Sequence, residues 1–198
     1  DNNADIHPSE AESVQAAVQT GGSEWVASSN PIAKMPDAER RKLLGALMPE
    51  ETEIRANGRS FSRAARQLPS AFDWRNAGGN FVTSVKYQGQ CGSCWAFATT
   101  AMIESEVLIH SYQSGLDLSE QIVLSCSGAG SCNGGYLSSA LNFLRDTGTA
   151  AETCYPYTVT NGNCSSACAN WQTGAFKMDD WAYVSAVSVC AIKNAVYT

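Results

Sequence analysis

The residues best suited to chemistry form one run, Gln88-Gly89-Gln90-Cys91-Gly92-Ser93-Cys94-Trp95-Ala96-Phe97. Cys94 stands where a polar, glycine-containing turn meets the start of a helical pattern. The unpaired N–H groups and dipole at a helix start favour an anion, and therefore a thiolate, which is a strong nucleophile. Gln88 lies six residues upstream, from where its side-chain amide can fold back towards the sulfur. With the backbone N–H of Cys94 it would make a two-donor oxyanion hole. A nucleophile beside two such donors is equipped for acyl transfer. Two other chemistries use the same residues. Cys91-x-x-Cys94 at a helix start also suits thiol–disulfide exchange, although six further cysteines offer Cys91 a structural partner. Joined to Cys164-x-x-x-Cys168 it has zinc-ligand character, but about 70 residues separate the two pairs, well beyond finger or ribbon spacing.

The elements around this run can be sketched from pattern. Leu68-Pro69 opens a body in which Phe72, Trp74 and Phe81 to Val85 have strand character, separated by Gly78-Gly79-Asn80. After the turn, a long helix is predicted over about Cys94 to His110, with Phe97, Ala98, Ala101, Met102, Leu108 and Ile109 as its buried stripe. Ser119 caps a short helix from Glu120 to Ser125. A Gly/Ser/Cys loop covers Cys126 to Gly135. Leu137, Ala140, Leu141 and Leu144 then mark an amphipathic helix closed by Gly148. Cys154-Tyr155-Pro156-Tyr157 reads as loop, Trp181 to Val189 as strand, and Ala191 to Thr198 as the start of a helix.

Residues 1–67 read as an accessory leader. The stretch to Asn30 is polar and weakly patterned, with a break at Gly21-Gly22. Pro36 suits a helix start, and Asp37 and Glu39 suit its dipole. Leu43, Leu44 and Leu47 make a short apolar stripe that Pro49 ends. Arg55, Arg59, Arg63 and Arg66 follow in small and polar surroundings, either a protease-accessible linker or a solvated basic helix.

At 198 residues, 44% hydrophobic and 16% charged, the chain can bury the core of one domain or two small ones. A net charge of −6 argues against nucleic acid and anionic membrane as partners. No apolar run approaches the roughly 18 residues of a membrane span, and Asp1 to Ile6 lacks the order of a signal peptide. All eight cysteines fall at or after residue 91, and an even count in a Ser-, Asn- and Gly-rich body points to disulfides and an oxidising compartment, with eight reduced thiols in a cytosolic protein as the alternative.

The Cys91-Gly-Ser-Cys94-Trp95 run resembles the active-site segment of papain-family cysteine peptidases, the group that includes the cathepsins. Phe72-Asp73-Trp74-Arg75, Leu118-Ser119-Glu120-Gln121, Cys132-Asn133-Gly134-Gly135-Tyr136 and Tyr155-Pro156-Tyr157 agree in the same order, so the likeness covers about residues 68 to 198. It implies an α+β, papain-like fold. A mostly helical left domain around a long central helix and the beginning of a β-rich right domain (68–198) would follow a propeptide (1–67). It implies Cys94 as nucleophile and Gln88 as oxyanion donor. Gly134 and Gly135 would present backbone to an extended substrate, a role for which the missing side chain suits glycine. Trp95, Tyr136 and Leu137 complete the implied substrate-binding set. Tyr136 and Leu137 would border the pocket for the second residue before the cut, with ordinary helix-start packing as the alternative. The implied disulfides are Cys91–Cys132 and Cys126–Cys164. Cys154 and Cys168 remain as a local pair, and Cys190 is left free or paired outside the chain. No cofactor or metal is implied.

One part of the pattern is missing. The family's general-base His and orienting Asn lie about 130–150 residues beyond the nucleophile, near residue 224 or later, whereas the sequence holds only His7 and His110. His110 is 16 residues along the predicted helix, about 24 Å from Cys94 at 1.5 Å per residue. His7 sits in the leader. The expectation is therefore a secreted or vesicular (lysosome-like) precursor of a papain-like endopeptidase whose His- and Asn-bearing remainder is cut away or held as a second chain. A catalytically inactive, peptide-binding relative is the alternative. The implied partners are a peptide or protein substrate and the propeptide as intramolecular inhibitor, although this leader lacks the longer Glu/Arg/Phe/Asn helix pattern of cathepsin L-like proregions. Processing is predicted near Arg66–Leu68.

Overall fold

The structure is a computed structural model and describes residues 8–22, 25–27, 30–59, 68–111, 114–185 and 188–197. His7, Arg63, Arg66 and most of the predicted processing region lie outside the described residues.

The leader opens with α1 (Pro8–Thr20), a helix in a stretch whose sequence is polar and only weakly patterned. Proline at its first position loses no helical hydrogen bond, and Gly22, at φ 67°, takes the left-handed conformation just beyond its end. α2 (Asp37–Lys42) follows Pro36, with Asp37 and Glu39 at its start and Arg40, Arg41 and Lys42 in its last turn. Leu43 ends that helix. The predicted stripe of Leu43, Leu44 and Leu47 is not helical: Ala46–Leu47 form a strand, β1. The cause is tertiary, because an outside strand supplies β1 with hydrogen-bond partners that no local pattern announces. α3 (Glu51–Ala56) and β2 (Gly58–Arg59) complete the described leader. Arg55 pairs with Glu51 on α3, and Arg59 pairs with Asp180. This half of the basic run is thus ordered secondary structure rather than linker.

In the body, Phe72, Trp74 and Phe81 to Val85 form no strand. Their rings stack edge to face instead, Phe72 on Trp74 (centroids 4.9 Å), Trp74 on Phe81 (5.7 Å) and Phe72 on Tyr197 (4.8 Å). α4 (Cys94–Ser111) is the central helix and packs on α5 (Glu120–Cys126) and α6 (Leu137–Asp146). Ser119 caps α5 as predicted, its Oγ accepting the Ile122 N–H at 3.0 Å. β3 (Gly130–Ser131) and β4 (Gly134–Tyr136) pair antiparallel, and β1 adds to the other edge of β4 in parallel, giving the order β1-β4-β3. β5 (Tyr183–Val184) is much shorter than the predicted strand and pairs in parallel with β2. α7 (Val189–Tyr197) follows.

The core gathers Trp95, Ile103, Leu118, Val123, Ala140 and Leu144 between the helices. The buried face of α4 is rotated from the predicted stripe. It carries Trp95, Ala96, Thr99, Thr100, Ile103, Glu104 and Leu108, whereas Ala98, Ala101 and Met102 are exposed. The sequence misleads because α4 is apolar on several sides, and because two of the polar residues inside, Thr99 and Glu104, find partners, while the Thr100 hydroxyl is buried without one among the described residues. Thr99 Oγ1 donates to the carbonyls of Trp95 and Ala96. Glu104 accepts from Lys86 Nζ (3.0 Å), Thr83 Oγ1 (2.5 Å) and the Leu118 N–H (2.7 Å). Lys86 also reaches Asp117 (2.6 Å) and Glu120 (2.8 Å), so one ammonium faces three carboxylates. Burial works against its charge, but the three partners outweigh it and hold Lys86 protonated above its ordinary range. Burial raises the Glu120 carboxyl to about 7 against the pull of Lys86. Three disulfides, Cys91–Cys132, Cys126–Cys164 and Cys154–Cys168, tie the loops, while Cys94 and Cys190 are free.

Candidate active site

The site is built where the turn Gln88–Ser93 meets α4. The turn needs glycine twice. Gly89 has φ 62°, and a Cβ there would strike Val159 Cγ1 at 2.5 Å. A Cβ on Gly92 would lie 2.7 Å from the Cys132 carbonyl oxygen and 2.9 Å from that of Lys42. The Cys91–Cys132 bond and the Gly92 N–H donated to the Cys132 carbonyl (2.8 Å) fasten the middle of the turn to the β3–β4 hairpin. Ser93 starts the helix, its carbonyl accepting from the N–H groups of Ala96 and Phe97. Cys94 is therefore the first helical residue, half-buried, with its thiol free.

The leader crosses this thiol. Gly45 donates its N–H to Cys94 Sγ at 3.0 Å. The Gln88 side-chain amide donates to the Leu43 carbonyl at 3.0 Å and to the Cys91 carbonyl at 2.8 Å. Gly135 donates its N–H to the Gly45 carbonyl at 2.8 Å, and the pairing continues with Ala46 opposite Gly135 and Leu47 opposite Tyr136. Gly134, at φ 121°, has the Leu47 side chain against the place a Cβ would take. The arrangement has a plain chemical reading. The Gln88 amide holds a peptide carbonyl oxygen, and the β4 edge holds an extended chain. The sulfur accepts the Gly45 N–H, so the crossing segment lies directly over it.

Of the residues singled out in the sequence, Cys94, Gln88, Gly134, Gly135 and Tyr136 gather around this crossing. Trp95 does not. It is fully buried, its ring 2.5 Å from where a Gly135 Cβ would sit and its Nε1–H donated to the Ser131 carbonyl at 3.2 Å. It props β4 from beneath rather than lining the cleft, because the helical turn after Cys94 directs its ring into the core. Leu137 is half-buried against that core, and Tyr136 is 46% exposed. His110 stays on the outer flank of α4, 3.4 Å from Glu106. With Cys91 bonded to Cys132 and Cys164 to Cys126, neither the redox pair nor the four-cysteine zinc set remains available. The sequence reading missed Leu43, Gly45 and Leu47 as site residues. Their only signal was a glycine inside an apolar stripe.

Solved structures of similar shape include proenzymes. The digestive procathepsin L2 proteinase from the larval midgut of Tenebrio molitor superposes with a TM-score of 0.63 at 30% identity, covering 79% of this chain and 52% of that one. The proform of Amb a 11, a cysteine protease of ragweed pollen, shares the fold with a TM-score of 0.69 at 24% identity, over 94% of this chain and 57% of that one. The chain belongs to the papain family of cysteine proteases, whose family model matches residues 68–198. Among curated relatives, a cathepsin L-like proteinase of Fasciola hepatica is 35% identical over 152 residues, which are 75% of this chain and 45% of that protein. Ananain of Ananas comosus is 43% identical over 102 residues, half of this chain and 28% of that protein. The chain thus spans less than half the length of these two relatives, on the α+β, papain-like fold they indicate.

Proposed function

We propose that the chain is the leader and nucleophile-bearing part of a cysteine endopeptidase precursor, held inactive by its own residues 43–47. The observation that carries this reading is the crossing itself, with Gly45 N–H on Cys94 Sγ and the Leu43 carbonyl on the Gln88 amide. In the reaction, Cys94 sulfur attacks a substrate carbonyl carbon and a C–S bond forms. The oxygen takes the charge where Gln88 donates. The C–N bond then breaks, the leaving amine takes a proton, and water hydrolyses the thioester. The extended substrate docks on the Gly134–Tyr136 edge that β1 now fills. His110, the one histidine among the described residues, lies along α4 at about 24 Å from the sulfur. In this reading the general base and its orienting Asn are supplied by further sequence or by a second chain. Three disulfides suit an oxidising, secreted or vesicular setting.

The test is labelling with a peptidyl Michael acceptor after nicking the chain between residues 60 and 67. The label lands on Cys94, more slowly in Gln88→Ala and more slowly when leader is added back. Labelling elsewhere, or a rate indifferent to both, overturns the proposal.

A further inference from the structure

We propose that Tyr157 is a positioning residue for this site, its phenol clamping both ends of the turn that carries Gln88 and Cys94. The inference rests on the reading of those two residues given above. The Gln88–Ser93 turn has no regular structure, and its middle is held by Cys91–Cys132. Its two ends meet at one hydroxyl. Tyr157 O–H lies 2.9 Å from the Gln88 carbonyl oxygen and 2.6 Å from Ser93 Oγ.

The protons assign the direction. A carbonyl only accepts, so the single phenolic proton goes to Gln88, and Ser93 donates its own to the phenolic oxygen. The phenol is itself fixed. Its ring stacks edge to face on Phe97 in the first turn of α4 (centroids 4.8 Å), and its backbone N–H is donated to Glu152 Oε1 at 2.7 Å. Burial keeps the hydroxyl protonated above its ordinary range. Fixing the Gln88 carbonyl fixes the peptide from which the Gln88 amide is aimed, and fixing Ser93 fixes the residue before the nucleophile. Tyr157 belongs to the Tyr155-Pro156-Tyr157 run, which the site as described above does not use.

The experiment is alkylation of Cys94 by iodoacetamide in the full chain, resolved from Cys190 by peptide mass. Tyr157→Phe keeps the ring and its stacking and removes only the hydroxyl. The rate at Cys94 rises about 5-fold, the effect of losing the hydrogen bond that holds the Gln88 carbonyl, one of the two the hydroxyl makes. Gln88→Ala alone also raises it, and in that background Tyr157→Phe loses most of its effect, because the phenol acts through the Gln88 amide. In 15N–1H spectra the Gln88 side-chain amide signals move in Tyr157→Phe, while those of the distant Gln172 stay. Equal effects in both backgrounds with an unmoved Gln88 amide reduce Tyr157 to packing and overturn the proposal. If Gln88→Ala raises the rate and Tyr157→Phe does not, this inference alone fails. If Gln88→Ala changes nothing, the assignment of Gln88 fails first.

Discussion

Replacing Gly45 by Ala tests the leader's grip most directly. A Cβ at this position would lie 1.7 Å from the Gly92 carbonyl oxygen, 2.4 Å from its carbon and 3.0 Å from its Cα. All three are backbone atoms of a turn fastened by a disulfide, so no side chain can swing aside. The segment has to lift. Three hydrogen bonds leave with it: Gly45 N–H to Cys94 Sγ, Gly135 N–H to the Gly45 carbonyl, and the Gln88 amide to the Leu43 carbonyl. At about 1 kcal/mol net each, they hold the segment by roughly 3 kcal/mol, with the sulfur bond the weakest. That corresponds to about a 100-fold change in the closed-to-open ratio, at 1.4 kcal/mol per tenfold. The rest of the leader stays anchored through β2 on β5 and Arg59 on Asp180, so the opening is local. The assay is the iodoacetamide rate at Cys94, with exposed Cys190 as internal reference and circular dichroism to follow the fold. Gly45→Ala speeds Cys94 labelling by about 10- to 100-fold while Cys190 is unchanged. A Cys94 rate within about twofold of wild type, in a folded protein, refutes the argument that this segment shields the sulfur.

Lys86→Met leaves Glu104 and Glu120 buried without their cation and lowers stability by about 3 kcal/mol or more, read as a shift of the urea midpoint. Glu120 has a folded pKa of about 7 against 4.5 for the free side chain, so its contribution is complete below 4.5 and is lost as pH rises through about 7. The urea midpoint should accordingly fall between about pH 5 and pH 8 and flatten in Glu120→Gln; a wild-type midpoint that rises over this range contradicts the assignment. Gly135→Ala places a methyl 2.5 Å from the Trp95 ring and should lower the melting temperature and speed Cys94 labelling together. N-terminal sequencing of processed protein should find the new end within residues 60–68, just after the leader's last described anchor at β2.

The sequence carried the local chemistry because local chemistry is written in adjacent residues. The Gly89 and Gly92 turn, the helix starting at Cys94, the Ser119 cap and the helix closed at Gly148 all follow from side-chain size, capping and backbone freedom within a few positions. What α4 buries was not legible, since a helix apolar on several sides does not say which side meets α5 and α6, and Glu104 becomes a core residue only because Lys86 arrives from elsewhere. The aromatic stretch from Phe72 to Phe81 looked extended, yet strand formation needs a partner edge and the rings found one another first. The leader shows the division most sharply. Leu43 and Leu44 close α2 with N–H bonds to the Arg40 and Arg41 carbonyls, and beyond them it is the β4 edge and the Cys94 sulfur, both far along the chain, that draw Gly45 to Leu47 across the thiol. By itself the sequence determined which atoms could react. Only the tertiary structure decided what lies over them, because that depends on groups about 50 to 90 residues apart meeting at hydrogen-bond distance.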